Sequence, residues 1–331
     1  MTVKVIAEIG SVHDGSYGNS KKLIDLAKNC GADIVKFQYH IAEFESMKNA
    51  ISPSYFSDEE RFDYFKRTSF TDTQWKGLIN YCKKKKIEFL CSVFSIEAFK
   101  NLLSLGVKSF KIPSGEVTNL PLLEEISRYK KIRIFLSTGM SNISEIEKAY
   151  KILKRDSLII MQCTSLYPCP NNMVGINVID ELKKKFKNCQ IGFSDHTMDN
   201  VSALLAASKG SNYFEKHITF SRQMYGSDAK FASEPEDFKT YCKSLKQANS
   251  ILSSKVNKNN LKPFIGMRKI FQKSIIYAQN LKKDEKIKLN NIKFLKPDSG
   301  ISANKYKTVL GKKLKKNVKR STFVKYSDFY A

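Results

Sequence analysis

Residues 190–218 read QIGFSDHTMDNVSALLAASKGSNYFEKHI. Two apolar runs of strand length, QIGFS and NYFEKHI, frame this stretch, and Gly210 stands between them where a helix should end. Strand, helix and strand in such succession form the unit from which parallel sheets are built. The unit recurs toward the N-terminus. VKVIAEI (3–9), ADIVKFQ (32–38), IEFLCSV (87–93), SFKIP (109–113), IRIFLST (132–138) and LIIMQCT (158–164) are further strand candidates. Amphipathic segments such as NSKKLIDLAKNC, SIEAFKNLLSLG and NISEIEKAYKILK lie between them, several after an N-capping Ser, Thr or Asn. Gly31 and Gly106 repeat the helix-stop position of Gly210.

Eight near-continuously apolar strands, each followed by a helix and none by a GxGxxG or Walker sequence, predict a closed (β/α)8 TIM barrel rather than an open doubly wound sheet. The barrel is expected over 1–252, a polar linker containing SSKVNKNNLKP over 253–267, and a small second domain of short strands and turns over 268–331. A piece of about 60 residues is marginal alone, so it is expected to dock on a barrel, that of a partner subunit included. One insertion, Ala42 to Thr71, is too long for a simple βα loop, and its aromatics predict an ordered lid or partner contact.

Composition narrows the function. The chain of 331 residues has a formal charge of +25, which invites nucleic acid as a partner, but only eight of its 57 basic residues are arginine. Phosphate forks and base readout favour arginine, so the lysine surplus reads as a solvated surface that also draws small anions. Seven scattered cysteines with no CxxC pair read as reduced packing residues. No apolar window is long enough to span a bilayer and no secretory leader is evident, so a cytoplasmic location is expected, with neither membrane nor nucleic acid as partner.

In a TIM barrel the chemistry collects at the C-terminal ends of the strands. Here those ends carry Glu8, Lys36, Gln38, Ser92, Lys111, Ser114, Glu116, Ser137, Thr138, Thr164, Ser165, Tyr167, Ser194, His196 and His217. Strand alternation turns Lys36 inward, where a lysine is costly without an anionic partner, and Lys111 beside a Ser-Gly turn reads similarly. Two lysines with serines from several strands suit one highly charged substrate. Glu8, between Ala7 and Ile9, reads either as a proton-transfer group with a raised pKa or as a lysine's structural partner, and Glu116 carries the same alternatives. His196 and His217, at the ends of the seventh and eighth strands, are placed to share one divalent ion with positions left for water and substrate. His13 lies in the first βα loop as a candidate substrate contact, and His40 has no supporting context.

The motifs in order are EIGSVHDGS (8–16), VKFQ (35–38), FKIPSGE (110–116), LSTGM (136–140), QCTSLYPCP (162–170), GFSDHT (192–197), EKHIT (215–219), GSDA (226–229) and KPDSGI (296–301). Together they resemble the sialic acid synthases over essentially the full length. That resemblance implies a TIM barrel followed by an antifreeze-like SAF domain in a domain-swapped homodimer. It also implies condensation of phosphoenolpyruvate with an N-acetylated amino sugar to a nine-carbon nonulosonic acid and phosphate. Carried over by residue, it implies that His196 and His217 bind Mn²⁺ or Mg²⁺. Lys36, Ser92, Lys111, Ser114, Ser137 and Ser194 would hold phosphoenolpyruvate. Gln38, Tyr167, Asp228 and Lys296 would face the sugar, and Glu8 and Glu116 would handle water and its proton.

Three positions depart from the family's pattern: Val12 where many members have Asn, Ser227 where many have Pro, and Lys296 where the second domain usually offers an arginine. Lysine cannot reproduce a forked guanidinium contact. N-acetylmannosamine is therefore the default acceptor, with a 2,4-diacetamido sugar leading to legionaminate or pseudaminate as the alternative. Two remoter readings are a metal-dependent barrel hydrolase, which would usually show an HxH pair on the first strand, and a basic RNA- or polysaccharide-binding protein, which would cluster charge with aromatics. Neither pattern is present.

Overall fold

The computed structural model describes residues 3–52 and 59–330, in two units, 1–254 and 255–331. In the first unit eight parallel strands close on themselves in sequence order: β1 (Lys4–Gly10), β2 (Ile34–Tyr39), β3 (Glu88–Val93), β4 (Ser109–Ile112), β5 (Arg133–Ser137), β6 (Leu158–Gln162), β7 (Gln190–Asp195) and β8 (Tyr213–His217). All eight expected strands are present. The helices are α1 (Tyr17–Cys30), α2 (Ala42–Glu45), α3 (Arg61–Thr68), α4 (Asp72–Lys85), α5 (Ile96–Ser104), α6 (Leu120–Ser127), α7 (Ile143–Leu153), α8 (Ile176–Lys185), α9 (Val201–Ser208) and α10 (Pro235–Ser253).

Local chemistry sets the helix ends. The Ser16 hydroxyl accepts the Asn19 N–H to start α1, and Thr71 with Gln74 and Asn142 with Glu145 form reciprocal capping boxes for α4 and α7. Gly31, Gly106 and Gly210 stop their helices in left-handed conformations, with φ of 97, 85 and 91°.

Strand alternation sorts the side chains. Outward residues such as Val5, Ala7, Val35 and Phe37 pack with helix residues Leu23, Ile24, Trp75 and Leu78 in the main core. Inward residues form two layers. Ile6, Ile34, Leu90, Phe135, Ile159 and Met161, with Tyr213, make an apolar plug inside the barrel. Two positions further along the strands the inward residues turn polar: Glu8, Lys36, Ser92, Ser137 and Glu215.

α2 and α3 belong to the expected insertion and form a small cluster of Ala42, Tyr64 and Phe65, with Phe62 against it. Residues 53–58 of that insertion lie outside the described residues. No helix among the described residues is long and apolar enough to cross a membrane.

The second unit pairs β9 (Ser274–Tyr277) with β10 (Ile292–Leu295) antiparallel, and has its own core of Ile275, Tyr277, Leu281, Val309, Leu314 and Val324 among others. It also contains a helix, α11 (Ile265–Phe271), across the end of the stretch read as linker and the start of that read as strands and turns.

Candidate active site

Most of the strand-end residues expected to act together in the barrel do meet; Thr138 and Thr164 do not line the cavity, and their hydroxyls donate to the Met161 and Met173 carbonyls. Glu8, Lys36, Gln38, Ser92, Lys111, Ser114, Glu116, Ser137, Tyr167, Ser194, His196, His217 and Asp228 all line one cavity of about 390 Å³ at the C-terminal ends of the strands. That size suits a small-molecule ligand.

Its floor is organised by a residue to which sequence reasoning gave no role. Glu215, two positions before His217 on β8, accepts from Lys111 Nζ at 2.7 Å and from Ser194 Oγ at 3.1 Å, and lies 3.0 Å from Lys36 Nζ. Lys36 also reaches Glu8 Oε2 at 3.3 Å and donates to Ser92 Oγ at 3.3 Å. Both lysines and both glutamates are buried. Period-two alternation already put Glu215 on the inward face with His217; that signal was available in EKHIT.

Charge in this cluster is unevenly shared. Burial works against an ionised Glu215, but Lys111 and Lys36 outweigh it and hold the carboxyl well below its usual range. Burial likewise opposes the Lys36 ammonium, and Glu215 and Glu8 overcome it, raising its pKa. For Lys111 burial wins over Glu215, and its pKa falls. Glu8 moves the other way: burial, which Lys36 only partly offsets, pushes its pKa up to about 7. Its Oε2 is buried and, although near Lys36, outside hydrogen-bonding geometry. Two cations thus face one firmly ionised carboxylate and one poised near neutrality, leaving the floor net positive.

The backbone is shaped for close approach. A register shift in the β1–β2 pairing between Glu8 and Gly10 bends the strand beside the cavity. Gly10 has φ 54°, and a Cβ there would run into the Asp228 carboxylate. Asp228 Oδ2 accepts from the Ser11 N–H at 2.9 Å and the Ser11 hydroxyl at 3.0 Å. On the opposite wall the Gly139 N–H donates to Ser114 Oγ at 3.0 Å, and a Cβ on Gly139 would collide with Ser165, Ser114 and Cys163. Glu116 sits on a short 3₁₀ turn, accepts from Asn119 Nδ2 at 2.7 Å, and has its pKa raised by burial.

The His196 and His217 rings have centroids 5.9 Å apart, and Tyr167 lies against both, at 4.2 Å from His196 and 6.2 Å from His217. His196 Nδ1 is 2.7 Å from the Thr164 carbonyl, so Nδ1 carries the hydrogen; burial works against a charged ring, but Cys163 and that carbonyl outweigh it and raise the pKa, so Nε2 offers a lone pair in the neutral form alone. Burial, resisted by Asp228, lowers the His217 pKa to about 4 and keeps the ring neutral; its Nδ1 is buried without a hydrogen-bond partner. Two imidazole lone pairs can serve a divalent ion that takes its other ligands from water and substrate. Among the described residues no group of three His, Cys, Asp or Glu is arranged to hold a metal.

Two histidines are better understood from the structure than from the sequence. His13 is not among the cavity's lining residues: its Nδ1 accepts the Gly15 N–H at 3.0 Å and its ring packs 4.6 Å from Phe70. Burial keeps it neutral, with a pKa of about 4, and it serves the first βα turn. His40, conversely, lines the cavity with Glu45, Ser46, Arg61 and Phe65 of the insertion. Lys296 lies in the second unit, exposed, with its ammonium 4.9 Å from the centre of the Phe271 ring.

Comparison with known proteins agrees with this architecture. The NeuB family model matches residues 23–257 and the SAF domain model residues 272–329. The N,N'-diacetyllegionaminic acid synthase of Campylobacter jejuni is 35% identical, covering 97% of this chain and 98% of that protein. The human N-acetylneuraminate-9-phosphate synthase is 32% identical over 76% of this chain and 71% of its own. Among solved structures, the N-acetylneuraminic acid synthetase of Leptospira borgpetersenii superposes with a TM-score of 0.70 at 27% identity, covering 81% of this chain and 92% of that one. An eight-stranded barrel with a polar cavity at its C-terminal rim and a SAF domain after it, matched over this length, makes the chain a member of the NeuB family.

Proposed function

We propose that this protein is a nonulosonic acid synthase that joins phosphoenolpyruvate, an N-acetylated amino sugar and water into a nine-carbon 2-keto acid and inorganic phosphate. The observation that carries this reading is the cavity floor, where Lys36 and Lys111 share Glu215 while Glu8 sits near neutrality beside them. A buried net-positive cradle calls for a small polyanion, and phosphoenolpyruvate carries a phosphate and a carboxylate on three carbons.

Each lysine ammonium has three donors, so Lys36 and Lys111 can keep Glu215 and still donate to the substrate. Ser92, Ser137 and Ser194 add hydroxyls from three strands and Ser114 one from the turn after β4, which fix its orientation. Gln38, Tyr167 and Asp228 are positioned to receive the sugar. C3 of phosphoenolpyruvate forms the new bond to the sugar's aldehyde carbon, whose oxygen takes up a proton. Water adds at C2, and the C2–O bond to phosphate breaks. Glu8 is suited to take the water's proton at Oε2, since a carboxylate with a pKa of about 7 both accepts and returns protons near neutrality. Glu116, half-buried on the opposite rim, is the second candidate for proton transfer.

His196 and His217 would hold the divalent ion, and of Mn²⁺ and Mg²⁺ the former tolerates nitrogen ligands better. When bound it would supply Lewis-acid polarisation of the aldehyde oxygen. N-acetylmannosamine is one acceptor; the full-length likeness to a legionaminic acid synthase and the lysine at 296 favour a 2,4-diacetamido sugar as the other. A homodimer in which the second unit serves the partner's barrel belongs to the same proposal, and sedimentation of the full chain tests it.

The reading is tested by supplying Mn²⁺, phosphoenolpyruvate and a panel of amino sugars, and measuring phosphate release and product mass. Sugar-dependent release with a nine-carbon acid supports it; no release with any acceptor sinks it. His217→Ala is expected to lose Mn²⁺ binding, followed by electron paramagnetic resonance of the free ion, with the fold intact. Unchanged Mn²⁺ binding would remove the metal assignment.

A further inference from the structure

His40 stands in the middle of a chain of hydrogen bonds that starts at Glu45 on the insertion and finishes on the Glu8 carboxylate. Its ring is stacked between Phe65 and Phe94, with centroids 3.7 and 4.1 Å away and interplanar angles of 4 and 23°. Nδ1 lies 2.7 Å from Glu45 Oε2, and Nε2 lies 3.1 Å from Gln38 Oε1. At the other end of the same amide, Gln38 Nε2 donates to Glu8 Oε1 at 2.7 Å. Glu45 closes α2 and Phe65 sits in α3, so both elements of the insertion grip this one ring.

A side-chain amide carries its acceptor on one side and its donors on the other, so fixing one end fixes both. Glu8 alone does not choose: as a carboxylate it accepts from the NH₂ group, and as an acid it can donate to the amide oxygen. His40 chooses. With a hydrogen on both ring nitrogens, Nδ1–H donating to the Glu45 carboxylate and Nε2–H to the amide oxygen, the NH₂ group is committed to Glu8 and stabilises its carboxylate form. We propose that His40 is a positioning residue through which the α2–α3 insertion sets the orientation of the Gln38 amide against Glu8. The insertion, which also lines the cavity, then acts on Glu8 through the His40 and Gln38 side chains. Glu45 holds Nδ1, the two phenylalanines hold the ring plane, and the remaining nitrogen aims at Gln38.

The amide can be watched directly in full-length protein labelled with ¹⁵N at glutamine side chains, the Gln38 pair being assigned by its loss in Gln38→Met. In the wild type its NH₂ protons are expected to exchange slowly with water. His40→Phe keeps a ring in the stack and deletes the nitrogen, and is expected to speed that exchange at least tenfold. Glu45→Ala, which leaves ring and stack in place, gives a second reading in the same direction should the phenylalanine variant fold poorly. Unchanged exchange in a folded variant would overturn the proposal. The activity arm rests on the synthase reading: kcat is expected to fall about tenfold in His40→Phe with the KM for phosphoenolpyruvate little changed. Because amide exchange needs no turnover, failure of this proposal and failure of that reading give separate signals.

Discussion

Replacing Glu215 by glutamine removes the counter-ion that Lys111 depends on while leaving Lys36 its contact with Glu8. Stranding one member of a buried ion pair typically costs about 3 to 5 kcal/mol. Lys111 can limit that loss by giving up its proton, which sets a ceiling. From an unfolded pKa of about 10.4 to pH 7, at about 1.36 kcal/mol per unit, the ceiling is about 4.6 kcal/mol. At pH 9.5 the same arithmetic leaves about 1.2 kcal/mol. The sign follows from proton counting: between the two pKa values the unfolded variant binds the extra proton, so its stability rises with pH. Urea unfolding of wild type and Glu215→Gln at both pH values reads the difference. A deficit of about 3 to 4.6 kcal/mol at pH 7 that shrinks at pH 9.5 is expected. A deficit below about 1 kcal/mol, or one that does not change with pH, would refute Glu215 as the shared counter-ion. The double variant Glu215→Gln, Lys111→Met should recover most of the loss, since no unpaired charge remains.

Glu8, with a pKa near 7 in the folded protein against about 4.3 unfolded, binds more protons folded than unfolded across that interval, so its contribution to stability is lost as pH rises through it. Glu8→Gln should therefore flatten the fall in stability between pH 5 and pH 8, measured by urea unfolding, and an unaltered slope would assign the titration elsewhere. Gly139→Ala should cost about 1 to 3 kcal/mol through overpacking and displace Ser114, weakening phosphoenolpyruvate binding in calorimetry more than it lowers Tm would suggest; full affinity would show that the wall yields freely. Lys296→Ala should raise the KM for the acceptor more than that for phosphoenolpyruvate, and the reverse ranking would place Lys296 away from the sugar.

The eight strands, their order and the polar character of their C-terminal ends were legible in the sequence, because strand alternation and the alternation of strand with helix are local patterns. So was the identity of the polar residues at the strand ends: Lys36, Lys111, Ser92, Ser194, His196 and His217 each sit at one, and a TIM barrel gathers those ends. What the pattern could not supply was who meets whom. Lys111 on β4 and Glu215 on β8 are 104 residues apart and on opposite sides of the barrel, and only closure of the sheet brings their charges together across the interior. The same holds for histidine. His13 and His40 both follow early strands, yet the first βα turn buries one in the core while two insertion helices stack the other beside the cavity. Sequence periodicity tells a side chain which face to occupy; the partner that sets its charge and its proton is chosen by register, closure and packing, and those exist only in three dimensions.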